Sequence, residues 1–264
     1  MTTTMKTFPP SGIGAVASGL VVRHLTEILR QKGEHVREEG ADRLFLAGVS
    51  PTDVEAIVGQ AVAAGIGRIV LLSSHGARHE AAYGRACWHH LLVEQAVEAS
   101  GVEWTHLRSP GLMSGTLRWA TAIRDSAVVR APYAQAAYPL LDDADLAEIA
   151  ATVLLEPGHH GRAYNLAGAP GVSQVEQVKA IAAAIGQPIR FEELSPQRAR
   201  DEWEGAGWPE AAIQLQLKVL KDLVDGHTGI EDAMPVEELL GRPAGNYADW
   251  VVRNSDGFRR QNLW

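Results

Sequence analysis

The residues best suited to moving protons gather between positions 73 and 90. Ser73, Ser74 and His75 follow the apolar run Ile69-Val-Leu-Leu72, and His79, Glu80, Tyr83, His89 and His90 come soon after. Histidine changes charge near neutral pH, so a polar cluster at the end of a buried strand suits acid/base work. Each residue also has a structural alternative. Ser73 and Ser74 can shape a strand end, and His75 beside Gly76 can be a solvated loop residue. His79 and Glu80 can lie on the surface, and Tyr83 is a candidate phenol donor. His89 and His90 are neighbours on a helix, about 100° apart, which disfavours both facing one site, and His90 is the better candidate.

Other chemistries find less support. His159-His160 sits in a Pro-Gly turn without a third ligand at metal spacing, so no metal is expected. No G-x-S-x-G elbow exists for a Ser-His-Asp hydrolase. Asp142 and Asp145 read as a helix start, where acids cap free N–H groups and meet a positive dipole. Met113 and Trp119 read as the lining of a substrate pocket or as packing beneath a lobe.

The elements that would position these residues alternate regularly. Leu20 to Gln31 is helical and closes at Gly33. Arg43 to Ala47 reads as a strand, and Ser50-Pro51 as the start of a helix running from Thr52 to Ala64. Ile69 to Leu72 is a strand, Ala81 to Ser100 a helix, and Val102 to Leu107 a third strand. Asp142 to Leu155 and Gln174 to Ile185 are helices, with strands at Ala163 to Leu166 and Ile189 to Leu194. Pro196 to Leu240 looks helical. Short apolar strands alternating with longer helices describe βαβ units with helices on both faces of a parallel sheet.

Composition narrows the classes further. The 264 residues are 46% hydrophobic and 21% charged, enough to bury a core. A net charge of −8 argues against a nucleic-acid partner, and the one short basic cluster, Arg253 to Arg260, reads as a solvated tail. The single cysteine, Cys87, leaves no disulfide framework. No apolar run reaches the roughly 18 to 20 residues that span a bilayer, and Met1 to Pro10 lacks the apolar centre of a signal peptide. A cytoplasmic location is expected.

Three stretches carry a family resemblance: Ile69 to Gly76; Val93 to Pro110; and Pro139 to Ala147 running on to Glu156-Pro-Gly158 and Gly161 to Gly168. In this order and spacing they resemble the NmrA-like branch of the atypical short-chain dehydrogenases, from about Leu44 to Tyr247, including Leu240-Gly-Arg-Pro243. The resemblance implies a Rossmann-type sheet whose first strand, Gly-rich turn and first helix hold a cofactor pyrophosphate. Anchored on Arg23 to Gly33, Ala15 to Val22 falls on that turn. Gly19 matches there, while Val16 and Val22 stand where the family has its outer glycines. A second register uses Ser11-Gly-Ile-Gly14, but Pro9-Pro10 precedes it, and proline disfavours a central strand. Gly12, Gly14 and Gly19 are thus the candidate cofactor glycines. Between Val36-Arg37 and the strand at Leu44 the family's second strand, second helix and third strand are missing, and with them the residue that reads the adenosine ribose.

Aligned on Glu94, the resemblance puts Ala86 and His90 where the wider superfamily has its catalytic Tyr-x-x-x-Lys. The lysines are Lys6, Lys32, Lys179, Lys218 and Lys221, so the core holds no such pair. The resemblance also expects Arg108 at the end of the third strand, in a substrate-binding or a structural role. The expectation is a single α/β domain: a shortened, Rossmann-type doubly wound parallel sheet over residues 11–155, with a small, mostly helical lobe over 156–264. The expected activity is cofactor-independent, non-redox acid/base chemistry (cyclisation, isomerisation or dehydration) on a small, polyketide-like molecule. Ser74, His75, Tyr83 and His90 would be catalytic, with Ser73, His79, Arg108, Met113 and Trp119 lining the substrate. The alternatives are an NADPH-dependent oxidoreductase and a non-catalytic sensor. A homodimer is expected from the family alone.

Overall fold

The computed structural model describes residues 13–16, 19–34, 41–78, 88–227 and 233–259. In chain order the strands are β1 (Ile13–Val16), β2 (Arg43–Leu46), β3 (Arg68–Ser74), β4 (Glu103–Ser109), β5 (Val128–Pro132), β6 (Ala137–Tyr138), β7 (Arg162–Ala167), β8 (Val172–Ser173), β9 (Arg190–Leu194) and β10 (Met234–Pro235). The helices are α1 (Leu20–Gln31), α2 (Val54–Ala63), α3 (Trp88–Ala99), α4 (Ala120–Ser126), α5 (Asp143–Leu155), α6 (Gln174–Ile185), α7 (Pro196–Gly205), α8 (Glu210–Val224), α9 (Glu237–Leu240) and α10 (Tyr247–Arg253). The chain forms two compact units, the first of residues 1–109, 143–166 and 232–242, the second of 110–142, 167–231 and 243–264.

The first unit holds the main sheet, in the order β1-β2-β3-β4-β7-β10. Strands β1 to β4 and β7 are all parallel, so their C-terminal ends share one edge. Apolar runs such as Leu44-Phe-Leu46 and Ile69-Val-Leu71 are buried on both faces, as a sheet covered on both sides requires. On one face, Leu44, Leu46, Ile69 and Leu71 pack with Val54 and Val58 of α2 and Val93 and Val97 of α3. On the other, α1 packs against α5, and α5 lies on β2 and β3.

Strand β1 departs from the sequence reading, which placed no strand before α1. Although it contains Gly14 and is only four residues long, β1 pairs in register with β2, from Ile13 beside Arg43 to Val16 beside Leu46. The parallel ladder supplies what the local sequence does not.

The second unit carries two small sheets, parallel β5–β9 and antiparallel β6–β8. Helix α6 begins with a capping box: Ser173 Oγ accepts from Glu176 N while the Glu176 carboxylate accepts from Ser173 N. It packs against α10, whose Trp250 is almost fully buried. A 3-10 segment, Met113–Trp119, links β4 to α4, and its first N–H bonds to Leu141 O at 3.0 Å.

Candidate functional site

The edge formed by the strand C-termini begins at Gly19. This residue caps α1 with φ 99 and ψ −165, a backbone state essentially restricted to glycine, and a Cβ built there meets nothing within 4 Å. Among the described residues no side chain caps α1, and its first turn holds no acid. The helix therefore presents free N–H groups and a positive dipole end to a ligand, the arrangement that receives phosphate. Next along the edge, after β2, Gly48 also has a positive φ of 67 and open space at its Cβ position. These features fit a dinucleotide pyrophosphate at the β1–α1 junction. Of the other two candidate glycines, Gly14 lies within β1 and Gly12 outside the described residues.

Ser73 and Ser74, one residue apart, project to opposite faces of the sheet. Ser73 is paired with Arg108 and Ser74 with Ser109 across β3 and β4. Ser73 and Arg108 point toward α3, where both engage Glu94. The Ser73 hydroxyl donates to Glu94 Oε1 at 2.5 Å; Arg108 donates through Nε to Oε1 at 2.9 Å and through Nη2 to Oε2 at 2.6 Å. The Glu94 side chain is 1% exposed and Arg108 15%, so this is a desolvated, bidentate ion pair. Its hydrogen bond to Glu94 raises the Arg108 pKa further above an already high ordinary value. The trio clamps the ends of β3 and β4 to α3.

Ser74 faces the α1 side. Its oxygen accepts from Gly76 N at 3.2 Å, which leaves its own proton available for donation. His75 is buried, and its Nε2 donates to Leu166 O of β7 at 2.9 Å, tying the loop after β3 across the sheet. His90 is exposed on the first turn of α3, one helical turn before Glu94. Surrounding protein lowers its pKa, with Glu94 pulling the opposite way. Tyr83 and His79 lie outside the described residues.

Met113 and Trp119 belong to the second unit. Met113 is 1% exposed and packed in that unit's core, whereas Trp119 lines a cavity with Trp203 and Trp208. Sequence reasoning did not single out Glu94 or Gly48. An acid on an amphipathic helix reads as solvated, and only the position of Arg108 on a neighbouring strand shows otherwise.

Glu94, Glu98 and His106 also bring ligand-type atoms within 4.8 Å of one another. Both Glu94 oxygens are already taken by Ser73 and Arg108, so the cluster is an ion-pair network. In the Pro-Gly turn, His159 Nδ1 meets the Tyr164 hydroxyl at 2.7 Å, and His160 Nδ1 accepts from Trp104 N at 3.2 Å. No helix among the described residues is long and apolar enough to cross a membrane.

No protein-family model matches the chain. It is 35% identical over 223 residues to a (4-alkanoyl-5-oxo-2,5-dihydrofuran-3-yl)methyl phosphate reductase of Streptomyces griseus, covering 83% of this chain and 78% of the relative. It is 28% identical over 227 residues to an NAD(P)H azoreductase of Xenophilus azovorans, covering 83% and 77%. Among solved structures, the NADPH complex of a quinone oxidoreductase of Escherichia coli matches with a TM-score of 0.70 at 19% identity, over 92% of this chain and 99% of that one. These relatives correct the expectation of cofactor-independent cyclisation, isomerisation or dehydration, because the first is a reductase, the second an NAD(P)H azoreductase and the third an NADPH-dependent oxidoreductase with NADPH bound. The error lay in reading the missing outer glycines as loss of the site, when β1 and the cap at Gly19 are both in place. The chain belongs to the NAD(P)-binding, NmrA-like group of atypical short-chain dehydrogenase/reductase proteins.

Proposed function

We propose that this protein is an NAD(P)H-dependent reductase of a small, electron-poor conjugated molecule. The observation that carries the reading is the 35% identity to a reductase over most of both chains, supported by the open, uncapped α1 terminus behind Gly19. When bound, a reduced nicotinamide supplies a hydride, two electrons and one hydrogen nucleus, to the acceptor. The N–H groups of the first turn of α1 hold the pyrophosphate, and Gly19 lets the backbone approach it closely.

The proton that completes the reduction needs a donor at the strand edge. Ser74 is our candidate, since its hydroxyl proton is uncommitted and it faces the α1 side of the sheet. His75, engaged with Leu166, acts as a positioning residue that fixes the end of β3 carrying Ser74. His90 is a candidate for the approach to the site; His79 and Tyr83 lie outside the described residues. Ser73 and Arg108 act through Glu94 on the shape of the strand ends.

The cofactor end is shortened. Helix α1 ends at Gln31 and β2 begins at Arg43, so the chain between them is too short for another strand–helix–strand passage. The adenosine side would then be held by fewer groups than in a full Rossmann domain, predicting weak discrimination between NADPH and NADH.

The test is oxidation of NADPH and of NADH by the purified protein with menadione as the acceptor. Steady turnover with either nucleotide, reduced at least several-fold by Ser74→Ala, supports the reading. No acceptor-dependent oxidation with either nucleotide, across quinone and azo acceptors, contradicts it.

A further inference from the structure

The second unit contains a cavity of about 200 Å³ to which, of the site residues above, only Trp119 contributes. Trp203 and Trp208 form one wall as a stacked pair, with ring centroids 5.4 Å apart and planes 17° from parallel. Trp208 is 40% exposed, so that wall reaches the mouth, and Trp119, 7% exposed, lies deeper. Arg118, Arg130, Gln174 and Gln216 supply the polar lining, Gln174 already donating to the Pro132 and Tyr133 carbonyls.

The two arginines differ in a way that matters. Arg130 is balanced by Glu192 at 3.2 Å and Glu202 at 3.5 Å. Arg118 has no carboxylate within ion-pair distance among the described residues. Its guanidinium lies 4.9 Å above the Trp119 ring and reaches only the Gly115 carbonyl, at 3.4 Å. Arg118 is open to solvent yet ringed by protein mass, which lowers its pKa while the Tyr138 and Tyr247 phenols oppose that shift. That combination describes a group on the wall of a concavity. A guanidinium stays charged there and offers a planar fork of donors suited to carboxylate or phosphate. Gln216 donates to Tyr138 Oη at 3.0 Å, adding a fixed polar corner.

We propose that this cavity binds a planar molecule of one or two rings bearing an anionic oxygen group, its ring against the Trp203–Trp208 wall and its anion on Arg118. The volume sets the size, since pockets for drug-sized ligands run from roughly 300 to 1,000 Å³. Aromatic walls with one uncompensated cation set the chemistry. The proposal is a ligand site of the second unit taken by itself, and it stands independently of the reductase reading.

Calorimetric titration of the full chain, without nucleotide, with 2-naphthoate, 1-naphthyl phosphate and neutral 2-naphthamide tests it. An anionic probe should bind at least about tenfold more tightly than the amide, the value of one charge-assisted interaction. Arg118→Gln should abolish that preference, and Arg118→Lys should restore part of it. Comparing the two anions identifies whether carboxylate or phosphate is favoured. If Arg118→Gln fails to fold, Trp203→Leu serves in its place and should weaken all the probes that bind. Equal affinity for acid and amide, unchanged affinity in either variant, or no binding at millimolar probe overturns the proposal. With no nucleotide present, that failure is separate from a failure to bind NADPH.

Discussion

Glu94 shows how much a single buried carboxylate can organise. Its two oxygens accept from Ser73 and from both arms of Arg108, and the pair is largely withdrawn from water. Removing one member of such a pair leaves the other charged and unsatisfied, at a cost of about 3–5 kcal/mol. Glu94→Ala should therefore lose about that much stability in denaturant unfolding; a loss under about 1 kcal/mol would mean the network is not structural. His106 gives a second residue-scale prediction. It is fully buried, stacks on Trp104 at 4.5 Å, and donates through Nε2 to Glu98 at 3.1 Å. Its Nδ1 has no hydrogen-bond partner among the described residues. Burial lowers its pKa below 6.5, with Glu94 and Glu98 pulling upward and Arg108 downward. The unfolded chain then binds more protons than the folded one just below pH 6.5. Stability present above that value is lost as pH falls through it. His106→Gln should flatten the dependence of unfolding free energy on pH in that range, and an unaltered slope would contradict the assignment. At this scale Ser74 and His75 were legible from the sequence as strand-end residues. The roles of Glu94 and His106 were not, because burial depends on what lies opposite in space.

The longer helices and the apolar strands β2, β3 and β4 were readable because periodicity and uninterrupted apolar runs are local signals. Helix α6, Gln174–Ile185, follows the sequence reading to the residue. The strands that escaped carry weaker signals: β1 contains Gly14, β5 (Val128–Pro132) is broken by Arg130 and ends on proline, and β6, β8 and β10 are two residues each. Their pairing is set by partners distant in sequence, as β1 is by β2. The cost of overlooking β1 was functional, since β1 delivers the chain to Gly19. The conformation at Gly19 is costly for any other residue even though space exists for a side chain. Gly19→Ala should lower stability by about 1–3 kcal/mol and weaken nucleotide binding more than Gly33→Ala, whose position also has φ > 0 but closes the far end of α1. Equal effects of the two variants on nucleotide affinity would remove Gly19 from the cofactor cradle.

For the molecule as a whole, the sequence divides more simply than the structure does. Its pattern suggests a core up to residue 155 followed by a lobe, whereas the sheet unit draws on three separate stretches of chain. Strand β7 pairs with β4 because residues 143–166 return to the sheet after the first excursion. Composition cannot reveal such a return. Nor could it settle the cofactor, because a phosphate turn binds through backbone N–H groups, which side-chain identity reports only indirectly. A ligand that binds only the folded state also raises stability by mass action, so nucleotide affinity should appear both as heat of binding and as a rise in Tm.

The central claim is that this chain holds a nicotinamide dinucleotide at the β1–α1 junction. The most direct measurement is calorimetric titration of the purified protein with NADPH. Saturable one-to-one binding at micromolar concentration, weakened by Gly19→Ala, is the predicted result. No binding at millimolar NADPH, or binding that Gly19→Ala leaves untouched, would contradict it.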